Sequence, residues 1–227
     1  MDKKVIVVCG DSFLSIESNT RNHFSNLLED EYGYQVINLA HPGVSNAVIF
    51  FQIRLAIRFQ PNAIIYNQTW SDRINLTWQD KFVIQKGLEN FYYYKNTNFD
   101  SKIKEFVGNE NTASVLSIGW QSIEKNPAVE FTDEQQQAVN LYLRHLYHDE
   151  MQTEIDSWIY DYWKSKINSS GIQGICFNDS TIGLIAYEFA REIKSYPSVY
   201  HTDAATQKII AARIHASLQH KEQNDKS

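Results

Sequence analysis

The sequence predicts an α/β fold, a three-layer α/β/α arrangement in which a parallel sheet carries helices on both faces and is interrupted by a helical insertion. Three observations carry this. Short apolar runs rich in β-branched residues, "VIVVCG" at 5–10, "YQVINLA" at 34–40, "NAIIYNQ" at 62–68 and "GIQGICF" at 171–177, have the length and composition of buried strands. Between the first three lie segments whose apolar residues recur at helical spacing. Strands and helices alternating at this period are the pattern of right-handed βαβ units.

Each element has its own justification. In "NTRNHFSNLLEDEYG" Phe24, Leu27, Leu28 and Tyr32 fall on one helical face, and Gly33 supplies a stop. The segment "AVIFFQIRLAIRF" at 47–59 reads as the next helix, and Pro61 forbids its continuation. Between about 75 and 170 the rhythm changes. "FYYYKNTNFDSKIKEF" is aromatic and polar, and the stretch from Asp133 to Ile167 reads as one or two long amphipathic helices, capped by Thr132 or Asp133. Residues 1–227 are therefore expected to form one domain, with 75–170 a helical insertion or lid. After the fourth strand, "TIGLIAYEFAREIKSY" and "AATQKIIAARIHASLQ" read as helices, and the charged tail "HKEQNDKS" as a frayed end.

The length of 227 residues, 43% of them hydrophobic, suffices for one sizeable core. The net charge of −6 is scattered, with no block of Lys or Arg to follow a phosphate backbone, so nucleic acid is not an expected partner. The two cysteines, Cys9 and Cys176, each sit in a strand-like run and read as buried thiols rather than a disulfide, which suggests a reducing compartment. Only five apolar residues separate Lys4 from Gly10, too few for a signal-peptide core or a membrane span. The expectation is a cytoplasmic protein with no membrane partner. His145 and His148 lie three apart without a third clear metal ligand, and no P-loop or dinucleotide fingerprint follows any strand, so no metal and no cofactor is expected.

The first strand runs directly into Gly10, Asp11 and Ser12. In an open parallel sheet the ligand site lies beyond the carboxyl ends of the strands, so a residue just past a buried strand is held at the site entrance. Gly10 permits a tight turn, and Asp11 and Ser12 present short polar groups there. As a tripeptide the pattern is also an ordinary turn.

The stretch "VVCGDSFLS" resembles the first block of the SGNH, or GDSL, hydrolase family, whose nucleophilic serine follows the first strand. The family's second block, N-x-G-x-x-G, is similar to "NLAHPG", with Asn38 and Gly43 matched and Ala40 in place of the first glycine. The last block, a histidine followed about ten residues on by "IIA", resembles "HTDAATQKIIA" from His201 to Ala211. The resemblance implies a flavodoxin-like sheet, Ser12 as nucleophile, His201 as general base, and the backbone N–H groups of Ser12 and Gly43 in an oxyanion hole.

Two departures stand beside these matches. Ser198 occupies the position three before His201 that the family gives to aspartate. Either Ser12 and His201 act as a dyad, or Asp203, Asp179 or Asp72 serves as the acid, or catalysis is slow or absent. The third block, G-x-N-D, is matched by "TWSD", with Asp72 retained and Ser71 in the asparagine position of the hole; Asn46, Asn67 or Gln68 would otherwise complete it. Asp11, Asn46, Asn67, Trp70, Asp72 and Arg73 are the candidate substrate contacts. Arg73 suits a carboxylate or phosphate, or an ion pair with Asp72; Trp70 suits stacking on a sugar or base, or packing of the insertion.

The expected activity is hydrolysis of an ester carrying a small acyl group such as acetyl, on a carbohydrate or similar polyol. The partner is a small-molecule ester, and the oligomeric state is not legible. The alternatives are an acyltransferase using the same serine, and a binding or assembly protein that keeps the fold after its chemistry has decayed.

Overall fold

The computed structural model describes residues 3–15, 23–40, 44–69, 71, 73–78, 114–119, 133–177 and 204–224. Four of its strands form a parallel sheet: β1 (Val5–Cys9), β2 (Gln35–Asn38), β3 (Ala63–Tyr66) and a strand late in the chain, Gln173–Cys176, numbered β6 below. The spatial order is β2-β1-β3-β6, with Val7 level with Ile37 on one side and Ile64 on the other, and Ile64 level with Gly174. The two inner strands, β1 and β3, are buried nearly throughout because the sheet is covered on both faces, while β2 and β6 are buried only in their second halves.

The alternation of side chains along each strand divides the core in two. On one face, Ile6, Val8, Ala63, Ile65 and Ile175 pack with α1 (Phe24–Asp30) and the C-terminal helix Ala204–Asn224, through Phe24, Leu28, Ile210 and Ile214. On the other, Val7, Cys9, Ile64, Tyr66 and Cys176 pack with α2 (Asn46–Arg58) and the helix Asp149–Ser169, through Ile49, Ile53, Tyr160 and Ile167. Three layers result, as the sequence predicts.

α1 begins at Phe24 because the His23 side chain, a surrogate N-cap, accepts from Ser25 N. It gives way to Gly33 in the left-handed region, at φ 73°. α2 ends where Gln60 turns left-handed, at φ 46°, immediately before Pro61.

The insertion departs from expectation. It contains an antiparallel pair, β4 (Arg73–Trp78) with β5 (Ser114–Gly119), where helices alone were expected. β4 alternates polar with apolar residues, a period of two that suits a ribbon, whereas β5 places Val115 and Leu116 side by side. The long amphipathic stretch resolves into α3 (Asp133–His145) and α4 (Asp149–Ser169). His148 separates them, its side chain accepting from Met151 N as the N-cap of α4, a structural use for a residue considered as a metal ligand. α4 is no lid: its Tyr160 and Ile167 are buried against the sheet, and it forms the crossover between β3 and β6. The last helix, α5 (Ala204–Asn224), continues through most of the tail expected to fray, because Lys, Glu and Gln there are good helix formers and no breaker intervenes.

Both cysteines are buried thiols, and neither is in a disulfide. Cys9 is level with Tyr66, and Tyr66 with Cys176, so two strand spacings separate the thiols, about 10 Å, beyond the reach of a disulfide. Among the described residues no helix is long and apolar enough to cross a membrane. The expected helix at 181–196 lies outside the described residues.

Candidate active site

α1 and α2 lie on opposite faces of the sheet, and β2 and β3 on opposite sides of β1. The chain thus reverses its winding at β1, the point at which open α/β sheets form a ligand crevice beyond the carboxyl ends of their strands, bordered here by the loops that leave β1 and β3. The first of these loops carries Gly10, Asp11 and Ser12; the second carries Asn67, Gln68 and Thr69.

Gly10 is required by a close approach. A Cβ on it would lie 2.2 Å from Asn67 Oδ1 and 2.7 Å from Leu14 Cδ1. Its backbone is held from the neighbouring helix: Gly10 N donates to Gln52 Oε1 at 2.6 Å, and Gln52 Nε2 donates to Gly10 O at 3.4 Å. Asp11 to Leu14 then form a turn closed by Leu14 N donating to Asp11 O at 3.1 Å.

Asp11 is 1% exposed and serves the turn from within. Its Oδ1 accepts from Phe13 N at 3.1 Å and from Asn67 Nδ2 at 2.9 Å, its Oδ2 accepts from Thr69 Oγ1 at 2.8 Å, and its own N–H donates to Asn67 Oδ1 at 3.2 Å. Asp11 and Asn67, expected as substrate contacts, are thus buried and joined to each other. Ser12 differs from both of its neighbours. It occupies the second position of the turn, is partly exposed, and makes no hydrogen bond through hydroxyl or amide among the described residues.

Asn46, at the start of α2, is also buried and internally satisfied. It donates to Thr69 O at 3.0 Å and to Asp156 Oδ2 at 2.7 Å, and accepts from Thr69 N at 2.8 Å. Gln152 Nε2 donates to the other oxygen of Asp156 at 2.8 Å. Burial raises the Asp156 carboxyl above the ordinary carboxylate range, and the Asn46 and Gln152 amides pull the other way.

Ser71 faces α4. Its hydroxyl lies 2.7 Å from Thr153 Oγ1, and Thr153 Oγ1 donates its one proton to Asp149 O at 2.9 Å, so Ser71 is the donor of the pair. Tyr147 OH donates to Ser71 O at 2.7 Å. An oxyanion would therefore have to draw the Ser71 proton away from Thr153. Arg73 opens β4 directly after this loop.

The opposite wall of the crevice is tied by Asn38, whose Nδ2 donates to Leu14 O at 2.7 Å and Ser25 Oγ at 3.0 Å, while its Oδ1 accepts from Ala40 N at 2.9 Å. The first turns of α5 close against the same wall: Gln207 Oε1 accepts from Phe24 N at 2.8 Å, and Ile210 and Ala211 share a core cluster with Leu14. His201, Gly43, Trp70 and Asp72 lie outside the described residues, as do Asp179, Ser198 and Asp203.

Sequence reasoning passed over Gln52, Thr69 and Asp156. Gln52 carried a signal, a polar residue on the α2 face that buries Ile49, Ile53 and Ala56. Asp156 carried a similar one, sharing its helix face with Tyr160 and Ile167. Thr69 carried none beyond its place after β3. No group of histidine, cysteine and carboxylate side chains that could hold a metal ion occurs among the described residues.

No protein-family model and no curated protein matches the chain. Among solved structures it is similar to a psychrotrophic esterase, EstA from Pseudoalteromonas sp., inhibited in that structure by monoethylphosphonate, with 11% identity over 97% of this chain and 100% of that one and a TM-score of 0.42. It is similar to TesA, with 12% identity over 95% and 98% of the two chains and a TM-score of 0.42. A lipolytic protein assigned to the G-D-S-L family in Desulfitobacterium hafniense DCB-2 shares 14% identity over 92% of this chain and 97% of that one, with a TM-score of 0.34.

Proposed function

We propose that this protein is a serine ester hydrolase with Ser12 as nucleophile and His201 as general base. The observation that carries the reading is the contrast within one turn. Gly10, Asp11, Phe13 and Leu14 are each held by hydrogen bonds, whereas Ser12, between them at the mouth of the crevice, is partly exposed and leaves both hydroxyl and amide uncommitted among the described residues. A hydroxyl that bonds to nothing among the described residues, on a turn fixed from several directions, is available for chemistry.

In this reading Ser12 Oγ attacks the ester carbonyl carbon while His201 takes the hydroxyl proton. The carbonyl oxygen becomes an oxyanion held by the amides of Ser12 and Gly43. Collapse expels the alcohol, which receives its proton from His201, and leaves an acyl group on Ser12. Water, deprotonated by His201, then attacks the acyl carbonyl; the acid leaves and Ser12 regains its proton. α5 begins three residues beyond His201 and is anchored to α1 and the β1 loop through Gln207 and Ile210, which supports delivery of His201 to the Ser12 side of the crevice.

The substrate is a small acyl ester, such as an acetyl group on a carbohydrate or polyol, with Trp70, Asp72 and Arg73, which follow β3 in the sequence, as its contacts. An ester suits a site whose Ser71 proton is engaged by Thr153, because an alkoxide leaves more readily than an amide nitrogen and asks less of the oxyanion hole. That same engagement favours, as second reading, a binding protein whose chemistry has decayed.

The test is hydrolysis of p-nitrophenyl acetate, together with intact-mass detection of a fluorophosphonate adduct, for the wild type, Ser12→Ala and His201→Ala. Turnover and labelling by the wild type, loss of turnover in both variants and loss of the adduct in Ser12→Ala are expected. Equal behaviour of all three proteins, with no adduct, would overturn the reading in favour of the binding protein.

A further inference from the structure

The buried carboxylate of Asp156, on the far helix of the β3–β6 crossover, is linked to the turn of Ser12 by an unbroken series of hydrogen bonds. Asp156 Oδ2 accepts one amide proton of Asn46 at 2.7 Å; the second goes to Thr69 O at 3.0 Å, and Asn46 Oδ1 accepts from Thr69 N at 2.8 Å. All three positions of the Asn46 amide are used, and only one orientation is consistent with them. Turned over, its oxygen would face Asp156 Oδ2 and Thr69 O, two acceptors, and its nitrogen would face the Thr69 amide. Asp156 thus reinforces the orientation in which Asn46 pairs twice with the Thr69 backbone, adding a third bond that a flipped amide could not make. Thr69 Oγ1 in turn donates to Asp11 Oδ2 at 2.8 Å, and Asp11 Oδ1 accepts from Phe13 N, which fixes the turn on which Ser12 rides.

We propose that Asp156 is a positioning residue for the Ser12 nucleophile, acting through Asn46, Thr69 and Asp11. The proposal rests on the serine hydrolase reading for its catalytic consequence. Its structural content, that Asp156 sets the rigidity of the Asp11–Leu14 turn, stands apart from that reading. What the role requires of Asp156 is an acceptor facing Asn46, so asparagine can replace it while alanine cannot. Gln152 adapts by presenting its carbonyl to the new amide.

The experiment compares the wild type with Asp156→Ala, Asp156→Asn, Asn46→Ala and Ile167→Ala, each at a temperature where it is folded. Two quantities are read: the rate of fluorophosphonate labelling of Ser12 by intact mass, and amide hydrogen exchange at Phe13 and Thr69. Asp156→Ala is expected to slow labelling about tenfold or more, within the roughly hundredfold that misplacement of a reacting group by about an ångström can cost. It is also expected to speed exchange at both amides. Asp156→Asn should stay within about twofold of the wild type in both quantities, because the acceptor is retained. Ile167→Ala, a cavity on the same buried face of α4 without a bond to the loop, should lower the thermal midpoint and leave labelling unchanged.

Wild-type labelling and exchange in Asp156→Ala, or equal slowing in Ile167→Ala, overturns the proposal. If Asp156→Ala does not fold, Asn46→Ala, which cuts the relay one link nearer the loop, carries the same expected and overturning results. If the wild type itself does not label, the hydrolase reading fails, and exchange at Phe13 alone decides whether Asp156 positions the turn.

Discussion

Asp11 and Asn67 are joined twice, Asp11 N donating to Asn67 Oδ1 at 3.2 Å and Asn67 Nδ2 donating to Asp11 Oδ1 at 2.9 Å. The pair carries the hydrogen bonding between β1 and β3 past the point where both strands end, using a side chain in place of a peptide. Removing the carboxylate leaves Phe13 N and Asn67 Nδ2 without this acceptor in a buried setting. Asp11→Ala is expected to lower the free energy of unfolding by about 3 kcal/mol, and Asp11→Asn, which keeps one oxygen, by about 1 kcal/mol. Urea denaturation of the two variants checks the difference; equal losses would show that the acceptor is not what the turn needs.

Gly10 meets the same asparagine from the other side. With Asn67 Oδ1 at 2.2 Å and Leu14 Cδ1 at 2.7 Å from where a Cβ would stand, Gly10→Ala is expected to cost about 2–3 kcal/mol through overpacking. Because much of that clash is with one side chain, the cost should shrink in an Asn67→Ala background. A double-mutant cycle measures this directly, and strict additivity would rule the explanation out.

The Asp156 carboxyl gives a pH signature of known sign. Burial raises it above its ordinary value of 3.8, so between the unfolded and folded titrations the folded chain binds more protons than the unfolded one. Stability attributable to this group therefore falls as pH rises through that window, and the penalty is complete above the folded value. Asparagine does not titrate. The stability of Asp156→Asn relative to the wild type should improve as pH climbs from 3 to 7, by urea denaturation at several pH values. A difference that is flat, or that moves toward the wild type, contradicts the direction.

The thiols offer a third kind of measurement. Burial pushes the Cys9 thiol well above its ordinary range, and Cys176, also buried, contacts the hydroxyl of Tyr160. Neither is expected to react with a thiol reagent at pH 8 in the native protein, and both should react on unfolding in urea. Rapid modification of either under native conditions would place it at the surface.

The parts of this fold that were legible share one property: their local pattern and their buried surroundings ask for the same thing. The runs at 5–9 and 63–66 are apolar because the sheet is covered on both faces, and α2 shows its spacing because one side of it is buried. β4 and β5 were not legible, since "RINLTW" and "SVLSIG" are short and lie inside a segment whose aromatic and helical content dominated the reading. At the site, position was legible and direction was not. Gly10, Asp11 and Ser12 announce a turn after a strand, but nothing in the tripeptide says that Asp11 faces inward, toward Asn67 and Thr69, while Ser12 stays partly exposed. Gln52 and Asp156 became interpretable only when the crossing helices brought them beside Gly10 and Asn46.

The ribbon of β4 and β5 bears on how such a chain can change over time. Its strands pair with each other and not with the four-stranded sheet, and Trp78 stands opposite Ser114 at the outer end. The two ends of the stretch 79–113 are therefore held at neighbouring-strand distance, and doubling its length would add only about 0.6 kcal/mol of closure entropy. The described bonds that hold the Ser12 turn come from α2, from the end of β2, from the loop after β3, and through that loop and α2 from α4, so none depends on how long that stretch is. A lineage can lengthen, shorten or exchange residues there while the bonds that hold the Ser12 turn are inherited intact.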